Sequence, residues 1–299
     1  MPAAEQSTGS PASVSPASGA PQRSAAAPKA LVVRTAGTNC DAEMCAGFAQ
    51  AGAQPELIHL DALIAAPQTI EQYELIGFPG GFSYGDDIAS GRIFAVRLKN
   101  RLWPALRAAA ARGVPMIAVC NGFQVIVQAG LLPGPHTGDA TAGQWPATPP
   151  AQEVSLQHNS GGRFIGAWVP VAYPKSACLW TAGLADAYAA TGLAADAMLL
   201  PIAHGEGRFV TGDAGILPRL QDAGQIAVTY GTDVNGSEGA VAGICDATGR
   251  IFGLMPHPER FLQWNRHPYW TRLPQSLRAL PTPGMMMFRN AVAAAVSVR

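Results

Sequence analysis

Charge is what this chain lacks most. Asp, Glu, Lys and Arg make up only 13% of it, against a usual share of ~25%. The 20 basic side chains cancel the 20 acidic ones. That balance offers no basic surface to a nucleic acid and no basic face to an anionic membrane. It is compatible with burial against other subunits, although an alanine-rich composition gives the same figure. Cysteine is scarce as well. Cys40, Cys45, Cys120, Cys178 and Cys245 are odd in number and lack paired close spacings, so neither a disulfide framework nor a zinc site is indicated. No apolar run is long enough to span a bilayer, and no secretory-type core stands near the start, so a cytoplasmic location is expected. Walker A and dinucleotide fingerprints are missing too, which argues against ATP binding by this chain. No internal repeat is present.

What the chain does have is apolar mass, 48% hydrophobic over 299 residues, enough for a sizeable core in one domain. Residues Met1–Lys29 are rich in Ala, Pro and Ser, show no periodic apolar face, and are expected to be a disordered extension. The folded domain is expected from residue 30 to 299. Strands are expected at Ala30–Arg34, Glu56–Leu60 and Leu75–Phe78, and a helix from Cys40 to Ala51 with Thr38 or Asn39 as its cap. A further helix runs through Trp103–Arg112, before the apolar run Val114–Val119 and a helix beyond it. This βα alternation predicts a largely parallel central sheet with helices on both faces. The second half changes character. Arg163–Tyr173, Ala197–Ala203, Gln225–Tyr230, Ala240–Cys245 and Arg250–Met255 read as strands joined by glycine-containing turns, an antiparallel excursion, with a last helix near Met285–Ala295. Segments 135–151 and part of 183–196 read as surface loops.

Three segments carry chemistry. Cys120 follows the apolar run at a strand-to-helix turn, where unpaired helix amides favour a thiolate and the next backbone N–H can face an oxyanion. Gly122 makes such a turn sterically possible. His257 and Glu259 flank Pro258, which pushes His257 out of the helical region into extended chain, where i and i+2 project to one side, so the carboxylate can orient one imidazole nitrogen and leave the other for proton exchange. Gly81, in the pair after Leu75–Phe78, lets a backbone N–H approach a reacting carbonyl. Each segment has a bland alternative: a core cysteine, a surface turn, a plain glycine turn. Their conjunction at the carboxyl ends of predicted strands favours a site. His204 with Glu206 is expected to be a loop in the pocket wall, and Asp86-Asp87 a solvated pair rather than a magnesium site.

The strings Gly37-Thr38-Asn39-Cys40-Asp41, Phe78-Pro79-Gly80-Gly81-Phe82-Ser83-Tyr84-Gly85-Asp86, Cys120-Asn121-Gly122-Phe123-Gln124, Pro201-Ile202-Ala203-His204-Gly205-Glu206-Gly207, Thr229 to Ser237 and Gly253 to Arg260 resemble, in family order, the glutaminase subunits of phosphoribosylformylglycinamidine synthase. The resemblance implies a flavodoxin-like class I (triad) glutamine amidotransferase fold. It also implies a role in purine biosynthesis: glutamine hydrolysed through a thioester on Cys120, with His257 as acid and base and Glu259 orienting it. Backbone amides of Gly81 and Asn121 would form the oxyanion hole, with Gln124 and Phe82 at the substrate. The partner implied is a large synthetase subunit that uses the ammonia with ATP and magnesium, together with a small bridging subunit. This chain itself would hold no cofactor and no metal. Ala118 stands where the family usually has Gly, Arg92 stands in place of an arginine at the Ala89 position, and the chain after Arg260 is longer than usual. Two rivals are a non-catalytic scaffold of the same fold and a cysteine hydrolase with the same elbow.

Overall fold

In the computed structural model, which describes residues 26–135 and 144–296, the buried apolar runs become neighbouring strands. In chain order they are β1 (Lys29–Arg34), β2 (Gln54–His59), β3 (Leu75–Phe78), β4 (Met116–Val119), β5 (Val154–His158), β6 (Ile165–Ala172), β7 (Leu199–His204), β8 (Glu206–Thr211), β9 (Ile226–Tyr230), β10 (Val241–Cys245) and β11 (Ile251–Leu254). One nine-stranded sheet runs β2, β1, β3, β4, β11, β10, β9, β6, β7, while β5 and β8 form a separate pair. The β1–β2, β1–β3, β3–β4 and β4–β11 pairings are parallel. From β11 outward every pairing is antiparallel.

Parallel strands buried on both faces need helices on both faces, and the glycines show where those helices press. Gly77 pairs with Ile117, and a Cβ there would sit 2.4 Å from Met44 Sδ of the helix Asp41–Gln50. The helix Pro283–Val296 packs on the same side, its Phe288 meeting Phe48 edge-on at 5.1 Å. On the opposite face Ala118 pairs with Gly253, whose Cβ would sit 2.1 Å from Phe123 of the helix Asn121–Ala129. The expected flavodoxin-like core, a largely parallel sheet with helices on both faces, is therefore present, with its antiparallel excursion.

The boundaries carry corrections. Residues 1–25 of the expected N-terminal extension lie outside the described residues, and Lys29 is already strand, paired with Gln54. The helix Asp41–Gln50 is capped by neither Thr38 nor Asn39. Its N-cap is Cys40, without a side-chain cap bond, because Thr38 Oγ1 accepts instead from Thr35 N and Asn39 Oδ1 from the Cys40 thiol. Of segment 135–151, residues 136–143 lie outside the described residues. The rest is pinned, with Trp145 buried edge-on against Trp103 and the Trp103 indole donating to Pro146 O. Segment 183–196 is helical at Leu184–Ala189, with Leu184 and Tyr188 fully buried. After Arg260 the chain folds back, packing Phe261 edge-on against Trp168 and Trp264 edge-on against Tyr188.

Candidate active site

The sheet order decides what meets what. Four parallel strands, β1, β3, β4 and β11, stand side by side, so the loops leaving their carboxyl ends share one edge. Those loops carry Cys40, Gly81, Cys120 and His257.

Cys120 is the single residue between β4 and the helix Asn121–Ala129, held at φ 52° and ψ −110°. A positive φ in a non-glycine residue stores about 1–3 kcal/mol of strain, which the surroundings must impose. They do so on both sides: Cys120 N donates to Leu254 O at 2.8 Å, and Gln124 N donates to Cys120 O at 3.1 Å. Gly122 has no alternative, since a Cβ would lie 2.0 Å from Phe78 O. Ala118 is fully buried between the paired positions Phe78 and Gly253, so its methyl is tolerated. Cys120 is 6% exposed, and its thiol points to Ala203 O at 3.8 Å.

His257 begins the short turn Pro258–Arg260 rather than a stretch of extended chain, and its own φ of −105° is non-helical, as Pro258 requires. The i, i+2 pairing is thus made by a 3₁₀ turn, not by strand alternation. The result is the same contact: His257 Nδ1 to Glu259 Oε1 at 2.7 Å, with the histidine side chain 2% and the glutamate 0% exposed. Burial alone would push this imidazole down. The charge of Glu259, then that of Cys120, outweighs it and holds the ring well above the usual histidine value. Nε2 makes no well-formed hydrogen bond, although the thiol is near enough to act on the ring through its charge and a loose contact. Such contacts commonly tighten only when substrate arrives.

Gly81 lies opposite Thr38 in an isolated antiparallel bridge. The bridge is closed by Phe82 N donating to Gly37 O and Asn39 N donating to Gly80 O, so it leaves the Gly81 amide unused. Its φ of +143° and a Cβ position 2.6 Å from Gly37 O make glycine obligatory. Asn121 supplies the first N–H of its helix, which no helical carbonyl can reach. Its side chain is a hub: Oδ1 accepts from Ser83 N, and Nδ2 donates to Asp86 Oδ1 and to Gln124 Oε1. Gln124 in turn donates to Glu206 O. Its carboxamide is thereby engaged at both ends and braces the pocket wall. Phe82, next to Gly81, is half exposed.

Four residues of the site depart from the expectations set by sequence or escape them. Asp86 is not a solvated carboxylate. It is half buried, with Ser90, Gly91 N and Asn121 all donating to it, and burial with the nearby Glu206 charge raises it against those bonds. Its φ of 53°, next to positive φ at Tyr84 and Gly85, is a feature that sequence does not display. His204 ends β7 and Glu206 opens β8, so the expected wall loop is a strand-turn-strand. Burial, then the charge of His257, pushes His204 down to about 4, and Asn159 Oδ1 sits 3.1 Å from its Nδ1. Cys40 and Arg260, to which the sequence alone gives no role, stand directly beside His257: Arg260 Nη2 donates to Cys40 Sγ at 3.0 Å, and that sulfur is 3.9 Å from His257 Nδ1. Ligand atoms of Cys40, His257 and Glu259 fall within 4.8 Å of one another, a set that would suit zinc. The Arg260 guanidinium already brings positive charge to that sulfur, which works against a divalent cation there.

Residues 27–293 match the model of the CobB/CobQ-like glutamine amidotransferase domain. A phosphoribosylformylglycinamidine synthase subunit PurQ of Dehalococcoides mccartyi is 35% identical over 277 residues, 88% of this chain and 96% of that protein. The subunit PurQ of Methanococcus maripaludis is 39% identical over 248 residues, 79% of this chain and 83% of its own length. Among solved structures, that of PurLQS from Thermotoga maritima superposes with a TM-score of 0.65 at 29% identity, covering 90% of this chain and 99% of the matched one. A putative GMP synthase component from Thermoplasma acidophilum, 13% identical with a TM-score of 0.51, shares the fold; the match covers 91% of this chain and 95% of that one.

Proposed function

The chain belongs to the CobB/CobQ-like glutamine amidotransferase family, and from that membership we infer that it is the glutaminase subunit of phosphoribosylformylglycinamidine synthase, working in purine biosynthesis with a synthetase subunit. The observation that carries the reading is the His257 ring, fixed at Nδ1 by a buried carboxylate and lying beside a strained cysteine at the edge where β3, β4 and β11 end.

The chemistry follows from that arrangement. The Cys120 sulfur adds to the carboxamide carbon of glutamine, and the oxygen that gains charge is met by the backbone N–H groups of Gly81 and Asn121. The raised imidazole holds a proton that it gives to the departing nitrogen, so ammonia leaves and a glutamyl thioester remains. His257, now neutral, takes a proton from water, which attacks the thioester and releases glutamate. Glu259 holds the ring in one tautomer throughout. Gln124 and Phe82 shape the glutamine pocket.

Ammonia passes to the synthetase, which converts formylglycinamide ribonucleotide to its amidine. ATP and magnesium belong to that partner, and a small bridging subunit completes the assembly. No helix among the described residues is long and apolar enough to cross a membrane. We assign the complex to the cytoplasm, where Cys120 stays reduced. Incubating the complex with a diazo-ketone analogue of glutamine, then measuring intact mass, tests the reading. One adduct on Cys120 supports it, and the absence of an adduct with the synthetase present would leave a scaffold.

A further inference from the structure

Cys40 is a second buried thiol in the site, and the thioester chemistry does not use it. It is 1% exposed, on the loop between β1 and the helix Asp41–Gln50. That loop grips the loop bearing Gly81 through its backbone: Asn39 N and Cys40 N both donate to Gly80 O, Phe82 N donates to Gly37 O and Tyr84 N donates to Ala36 O. Through its side chain it grips the histidine loop. The Cys40 thiol donates to Asn39 Oδ1 at 3.2 Å and its sulfur accepts from Arg260 Nη2 at 3.0 Å. Gly80 lies between the two thiols, its Cβ position 3.3 Å from Cys40 Sγ and 3.3 Å from Cys120 Cβ.

The sulfur matters because of what Arg260 would otherwise do. Arg260 follows Glu259 in sequence and feels its charge, and Glu259 Oε2 is buried without a hydrogen-bond partner. A guanidinium and a carboxylate form the strongest side-chain pair available, often bidentate. Such a pair would compete with the single Nδ1 contact that orients His257. Resting on the glutaminase reading, we propose that Cys40 is a positioning residue of the triad: its sulfur holds the Arg260 guanidinium off the Glu259 carboxylate, so that the acid stays on His257 Nδ1.

The test uses the full complex and compares glutamine-dependent with ammonia-dependent amidation. Cys40→Ala lowers glutamine-dependent kcat roughly 10-fold with little change in KM, because ring orientation is lost and not substrate binding. The alkaline limb of its pH profile moves to lower pH, since an imidazole without its carboxylate gives up its proton more easily. Cys40→Ser keeps an acceptor and stays within about 3-fold of wild type, and Cys40→Ala with Arg260→Gln recovers most of the loss. Thermal melts of all three exclude simple unfolding. An unchanged Cys40→Ala rate, or a double variant no faster than the single one, overturns the proposal. If the wild-type complex itself shows no glutamine-dependent rate and no Cys120 adduct, it is the function that fails and not the role of Cys40.

Discussion

The parallel and antiparallel halves of the sheet are built by the same packing but do different work. In the parallel half, short strands such as β3 and β4 are buried at every position and end in loops that present Gly81, Cys120 and His257. The antiparallel half contributes backbone: Pro201 O accepts from His257 N and Ala203 O faces the Cys120 thiol, both from β7. Buried polar groups there serve the wall. Asn159 Nδ2 donates to Arg163 O and His204 O, while its Oδ1 accepts from Gly207 N. Defects in the first half should therefore appear as lost rate, and defects in the second as lost stability.

The largest effect expected is on rate. His257→Ala slows glutamine-dependent turnover by about 10⁴-fold and Glu259→Ala by roughly 10²-fold, because orienting an imidazole is worth less than supplying it. Single-turnover kinetics of thioester formation would show that order, and a reversed order would break the comparison. Gly122→Ala affects both quantities. Its methyl would collide with Phe78 O, so the elbow must open, with a loss of about 3 kcal/mol or more in urea unfolding and no measurable glutaminase.

Asn159→Ala sharpens the contrast from the other side. It leaves several buried groups unpaired and should cost about 2–4 kcal/mol of stability, while the folded fraction keeps kcat within a few-fold. A loss of turnover without a loss of stability would place Asn159 in the chemistry.

The last effect, reached only in acid, is the pH response of His204. The unfolded chain binds a proton below ~6.5, whereas the folded ring resists until about 4. Its stabilising contribution is thus full above pH ~6.5 and falls by about 3 kcal/mol as pH drops to 4. His257, raised instead, contributes fully below ~6.5 and loses that contribution only as pH rises through its own value, so of the two histidines it is His204 that acts in the acid window. Urea midpoints at pH 7.5 and 4.5 measure the slope, and His204→Gln should flatten it.

How far the sequence can be read follows the same division. Strands buried on both faces announce themselves as continuous apolar runs, and Gly122 and Pro258 imprint their backbone constraints directly. The β5–β8 pair is not legible: Val154–His158 and Glu206–Thr211 are short and partly exposed, and neither their alternation nor their pairing is distinctive. Side-chain partnerships across the fold are equally hidden. Nothing near Cys40 indicates that residue 260 will reach it, and nothing near Asp86 indicates three donors converging on its carboxylate.

The central claim is that ammonia for the synthetase is made at Cys120. The direct measurement is amidation by the assembled complex carrying Cys120→Ala, with glutamine or with ammonium as nitrogen donor. Loss of the glutamine-dependent rate with the ammonium-dependent rate retained is the expected result, and equal retention of both would contradict it.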